Sequence, residues 1–280
     1  MPTYLRLSML WAVVCLLAFT ACQEDELNLN PSLSISDEMR LGLRLVQAAE
    51  AAPNDLFPVL ERQSHTQVYD YLNSLLAQLT TTPQATARGA FDWEVVIIND
   101  DSRVAAIALP GGKVLVYTGL LKSLTDEAEL MGILAHELYY TNRPVEQLAR
   151  NHSPVVQLLK SQYQNSSLLL LDIAEGNDPA AALEVLLTAT ATSYDEAAVL
   201  SADAFATEVL CPFSYDANGI RDVIVGAQES QSVDDVIWFE LRYVDNLDAR
   251  VTRLGELTQG CGSDGAMFAE RYQGFVNQLP

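Results

Sequence analysis

The sequence predicts an α+β fold, mostly helical, with a small β-sheet beside one central helix. Three observations point there. Stretches with apolar residues at helical spacing lie on both sides of residues 93–117, which hold three short β-branched runs. No segment repeats at a fixed period, so the order is helices, then a sheet, then many helices. With 280 residues the chain can bury a sizeable core as one large domain.

The elements follow in order. Ser36-Asp37-Glu38-Met39 opens a first helix with a capping signature. A second helix runs from about Ser64 to Leu79, with Val68, Tyr71, Leu72, Leu75, Leu76 and Leu79 on one face, and Pro83 follows its end. Trp93 to Ile98 and Ala105 to Leu109 are strands separated by the turn-like Asn99-Asp100-Asp101-Ser102. Pro110-Gly111-Gly112 is a turn, and Lys113 to Tyr117 is a third strand. Helical patterns then cover Asp126 to Asn142, Val155 to Leu171, Pro179 to Thr188, Asp195 to Leu210 and, last, Val233 to Leu257.

The N-terminus is a targeting segment. Arg6 and the free amine precede the apolar run Leu7 to Ala21, which is short for a membrane span and ends in Phe19-Thr20-Ala21-Cys22. That small-residue-then-cysteine ending resembles a bacterial lipobox, which implies cleavage before Cys22 and lipidation of its thiol. The organisation expected is a lipoprotein signal peptide over 1–21, a flexible tether over 22–35 rich in Asn, Pro and Ser, and the folded domain over 36–280. Both this reading and an uncleaved anchor place the rest of the chain outside the cytoplasm, in a cell envelope.

Acidic residues outnumber basic ones, 37 against 16, which excludes nucleic acid as a partner because phosphate binding needs clustered positive charge. Lipidated Cys22 would leave Cys211 and Cys261 as an even pair in an oxidising compartment. A disulfide and two buried thiols both fit that count. We expect the bridge, since Cys211 follows a helix end and Cys261 lies in a Gly-rich turn.

The most informative stretch is Leu134-Ala135-His136-Glu137-Leu138-Tyr139-Tyr140. In a working His-Glu-x-x-His helix, two histidines one turn apart bind zinc and the glutamate is general base for the attacking water. Here position 140 is tyrosine. A lone His-Glu pair on a helix is most often structural, so the flanks decide.

They read Ala108-Leu-Pro-Gly-Gly112, Tyr117-Thr-Gly-Leu-Leu121, Asp126-Glu-Ala-Glu-Leu130 and Leu134-Ala-His-Glu-Leu138, then Ser201-Ala-Asp203 and Tyr215-Asp-Ala-Asn-Gly219. In this order and spacing they resemble the gluzincin zinc metallopeptidases of the HtpX and CAAX-prenyl-protease family, in particular their periplasmic lipoprotein-like members. The resemblance implies a gluzincin metallopeptidase-like domain. It makes His136 the first zinc ligand and Glu137 the general base, both vestigial if the site is dead. It puts Tyr140 at the second ligand position, Ser201 at the third, and Asp203 at an aspartate that supports the ligands from behind. Arg250 resembles a late arginine of the family, but Val244-Asp245 stands where its His-Pro belongs.

Catalytic zinc wants three protein ligands from His, Asp, Glu and Cys. A tyrosine ligates well only as phenolate, and a serine hydroxyl is a poor neutral ligand. His65 and His152 cannot restore the one-turn geometry, and neither Asp195 nor Glu196 lies one turn from Ser201. Tyr139 and Tyr140 could also fill the volume of metal and water. The expectation is therefore a lipid-anchored pseudo-peptidase without a cofactor, binding a peptide or protein partner along the Val104 to Leu109 strand edge. The alternatives are an active zinc metalloendopeptidase with unusual ligands, and a structural envelope lipoprotein.

Overall fold

In the computed structural model, residues 34–85, 89–141, 166–189, 196–229, 237–238, 246–261 and 265–280 are described. The expected signal peptide with Cys22, the tether up to residue 33, the helix start at Val155, and His152, Asp195, Val244 and Asp245 lie outside them.

Helix α1 (Ile35–Ala51) starts two residues earlier than its sequence signature suggests. Ser34 is the cap, and its side chain and that of Asp37 form a reciprocal capping box. Helix α2 (Thr66–Leu79) buries Val68, Leu72, Leu75, Leu76 and Leu79 of the face expected of it, with Tyr69 added and Tyr71 only partly buried. Three strands form one sheet in the order β1 (Glu94–Ile98), β4 (Lys113–Tyr117), β3 (Ala106–Leu109). β1 runs parallel to β4 from Glu94↔Lys113 to Ile98↔Tyr117, and β3 runs antiparallel to it from Ala106↔Val116 to Leu109↔Lys113. Alternate residues of these strands enter two separate cores. Val95, Ile97, Val114 and Val116 pack with α2, while Val96, Ile98, Leu115 and Tyr117 pack with α1. Both faces are covered, which is why the strands read as unbroken apolar runs.

The turn between β3 and β4 requires its glycines. Gly111 and Gly112 have φ of 70° and 83°, and a Cβ on Gly111 would sit 2.6 Å from the Glu38 carbonyl of α1.

Helix α3 (Thr118–Ser123) follows β4, and α4 (Glu127–Thr141) is the motif helix. Every residue of α4 is buried, so it runs through the middle of the domain rather than over its surface. Its start is fixed by Glu127, whose carboxylate takes hydrogen bonds from the Tyr71 hydroxyl, from the Tyr215 hydroxyl at 2.5 Å and from Arg271 Nε at 2.6 Å. Burial, reinforced by that carboxylate, holds both phenols above their ordinary range.

The remaining helices are α5 (Ser166–Glu175), α6 (Pro179–Ala189), α7 (Glu196–Leu210), α8 (Gly219–Glu229), α9 (Leu247–Thr258) and α10 (Ala269–Val276). α5 and α6 contribute Ile173 and Leu186 to the α1 side of the sheet. The continuous helical pattern expected over Val233 to Leu257 is corrected. Ile237–Trp238 is a short strand, β5, paired in parallel with β2 (Arg103–Val104), and Asn246 caps a new helix through the Ala249 N–H at 2.9 Å. Cys211 and Cys261 are bridged, with Cα atoms 5.0 Å apart, tying the end of α7 to the end of α9. Closing a loop with a sequence separation of 50 stabilises by about 4 kcal/mol on the chain-entropy account.

Among the buried polar groups is Glu38, on the inner face of α1 and 3% exposed. Burial pushes its carboxyl from 4.5 up to about 8. The group is neutral in folded and unfolded chains below pH 4.5, so burial then costs nothing on this account. As pH rises from 4.5 to about 8, the folded state keeps a proton that the unfolded chain has lost, and stability falls across that window. Glu38→Gln should flatten this dependence and stabilise the protein by about 2–3 kcal/mol at pH 8. Denaturant melts from pH 5 to 9 check it. Parallel profiles for wild type and variant would contradict it.

Candidate functional site

The site is built where α4 passes beside β3 and α7. His136 and Tyr140 are one turn apart on α4 and share a face, and Glu137 adjoins them. The His136 Nδ1 lies 3.1 Å from Asp203 Oδ1 on α7. Asp203 is in turn gripped by Arg250 of α9, whose Nε donates to Oδ2 at 2.8 Å and whose Nη2 donates to Oδ1 at 2.8 Å. All three groups are buried. Burial alone would raise the Asp203 carboxyl, but its hydrogen bonds to Arg250 and His136 and their charges outweigh that and hold it at about 2. This is how a ligand histidine is normally oriented, by a carboxylate on the ring nitrogen that faces away from the metal.

On the side where a metal would sit, the arrangement differs. The Tyr140 ring, 1% exposed, lies edge-on to the His136 imidazole with centroids 5.6 Å apart. Tyr139 packs edge-on against Tyr140 at 5.2 Å and against Phe205 of α7 at 5.8 Å. Three aromatic rings thus line the helix face beside His136. Glu137, wholly buried, accepts the Ala108 N–H of β3 through Oε2 at 2.7 Å. The carboxylate that resembles a general base is engaged with strand backbone.

Ser201 is not brought to this face. It sits two positions before Asp203, about 200° round the helix, and its hydroxyl donates to the Ala197 carbonyl at 2.7 Å. The α7 residue one turn before Asp203, on the same face, is Val199. It is 1% exposed, in the apolar cluster that includes Tyr139 and Tyr140. The Ser201 assignment is therefore corrected to Val199 on helix phase. The signal was present in the sequence as the four-residue spacing to Asp203. Glu196, at the exposed start of α7, is two turns from Asp203, and His65 faces the Glu61 carbonyl at 3.1 Å. Neither joins the site.

The donor set does not fit zinc. Among the described residues, His136 is the single ordinary ligand at this site, Tyr140 offers a buried phenol and Val199 offers nothing. Among the described residues no group of three or more His, Cys, Asp and Glu is placed to hold a metal ion.

The strand edge beside the site is also altered. Val104 is paired with Trp238 of the same chain, and the Ala108 N–H is taken by Glu137. The strand edge expected to bind a partner, from Val104 to Leu109, is thus occupied near both ends.

Residues 67–230, more than half of the chain, match peptidase family M48. A stretch of 46 residues is 41% identical to the mitochondrial metalloendopeptidase OMA1 of Arabidopsis thaliana, covering 16% of this chain. The match spans 9% of that relative's length.

Proposed function

The chain belongs to peptidase family M48 and is a metallopeptidase-like protein; from that premise we propose that it is a pseudo-peptidase, lipid-anchored in the cell envelope, that binds an extended peptide or protein segment beside its former catalytic helix. The observation that carries this reading is the buried Tyr140 against His136, with Val199 at the facing position of α7. The Asp203–Arg250 support behind His136 persists, which is what loss of ligands from a once-functional site leaves. The Cys211–Cys261 bridge supports an oxidising, extracytoplasmic compartment. No helix among the described residues is long and apolar enough to cross a membrane, and in this reading Cys22 carries the attachment.

One preparation tests both parts. Full-length protein in detergent, supplied with zinc, should leave fluorescein-labelled casein uncut. Zinc-dependent cleavage that disappears in Glu137→Gln would overturn the pseudo-peptidase reading. In cells, Cys22→Ser should move the protein from the membrane to the soluble fraction, and an unchanged distribution would remove the lipid anchor.

A further inference from the structure

We propose that β5 is an internal place-holder on the peptide-binding edge, so that an extended partner reaches β2 and β3 only by displacing Ile237–Trp238. The inference rests on the peptide-binding reading above and adds how that site is guarded.

Backbone alternation identifies the edge. The Tyr117 N–H donates to the Ala105 carbonyl at 3.0 Å, and β3 continues from there in antiparallel register with β4. Ala105, Ile107 and Leu109 therefore turn their backbone groups toward β4, while Val104, Ala106 and Ala108 turn theirs outward. Outward-facing Val104 pairs with Trp238, and outward-facing Ala108 donates to Glu137. The side of the strand that an added peptide would use is thus held by this chain's own groups at two of its three outward positions.

The hold at β5 is built to be replaceable. The ladder is two residues long, Arg103↔Ile237 and Val104↔Trp238, and its partners come from distant parts of the sequence rather than from a hairpin. A partner segment pairing with both Val104 and Ala106 would make a longer run of main-chain hydrogen bonds than β5 does. The edge sequence Val104-Ala-Ala-Ile-Ala-Leu109 carries no charge, and the chain as a whole has a formal net charge of −21, so an uncharged or basic extended segment is the occupant that fits.

The test uses full-length protein in detergent and two variants, Ile237→Pro with Trp238→Pro, and the milder Ile237→Gly with Trp238→Gly in case the prolines disturb folding. The probe is a fluorescein-labelled seven-residue peptide of alternating valine and threonine with a lysine at each end. Amide hydrogen exchange at Val104 should speed up by about tenfold or more in a folded variant. The peptide should bind that variant about tenfold more tightly than wild type, because the competing strand no longer lowers the competent fraction. Unchanged exchange would mean that β5 does not cover this edge and would overturn the inference whatever the peptide does. Faster exchange with peptide affinity equal to wild type would overturn the guarding role. Faster exchange with no peptide binding to either protein would overturn the peptide-binding reading, and the guarding role with it.

Discussion

Replacing Arg250 by alanine should destabilise the protein by about 4–5 kcal/mol. The guanidinium is wholly buried and donates two hydrogen bonds to Asp203, so removing it strands a carboxylate that is itself 1% exposed. Breaking a buried pair from one side is far more damaging than removing both members. Arg250→Met combined with Asp203→Leu should therefore recover most of the loss, a marked non-additivity that denaturant melts of the two single variants and the double variant can measure. A loss below about 1 kcal/mol for Arg250→Ala would show that the network contributes little. The same carboxylate makes wild-type stability acid-sensitive. Its folded value of about 2 lies below the ordinary 3.8, so its contribution is present above pH 3.8 and is lost as pH falls through about 2. That contribution is about 2 kcal/mol.

The second large effect is a gain. Tyr140→His with Val199→Glu should put two histidines one turn apart on α4 and a carboxylate on the facing side of α7. Adding Tyr139→Gly removes the ring wedged between Tyr140 and Phe205, at a helix cost of about 1 kcal/mol. This triple variant should bind zinc on the order of a hundredfold more tightly than any of its single substitutions, because fewer than three ligands do not hold catalytic zinc. Isothermal titration with zinc reads it. The matched variant with Ser201→Glu in place of Val199→Glu should not gain, since that side chain leaves α7 on the wrong side. A gain with Ser201→Glu and none with Val199→Glu would mean that α7 is rotated from the phase described here.

How much of this could be read from residues alone depends on whether the cause was local. α2, α4, α7 and the three strands of the sheet carry their periodicity in their own sequence, and their limits fall within a residue or two of expectation. β5 does not. Its neighbourhood spaces apolar residues well enough for a helix, and it is a strand because Val104, far away in the chain, offers it a backbone partner. α10 likewise depends on a distant contact, Arg271 with Glu127 at the start of α4. At the site, the loss of Tyr140 as a histidine was plain in the sequence. The third position is not legible from motif letters alone, because they ignore helix phase, which singles out Val199 through its spacing to Asp203. The engagement of Glu137 had no signature at all, since its partner is the main-chain N–H of Ala108.

Counting the metal decides whether this site holds zinc. Full-length protein is loaded with excess zinc, dialysed exhaustively against zinc-free buffer and analysed by atomic emission alongside His136→Ala. We expect less than about a tenth of an equivalent of zinc in both proteins, because one imidazole beside a buried phenol and a valine does not retain the ion. One equivalent retained by the wild-type protein and lost in His136→Ala would contradict it.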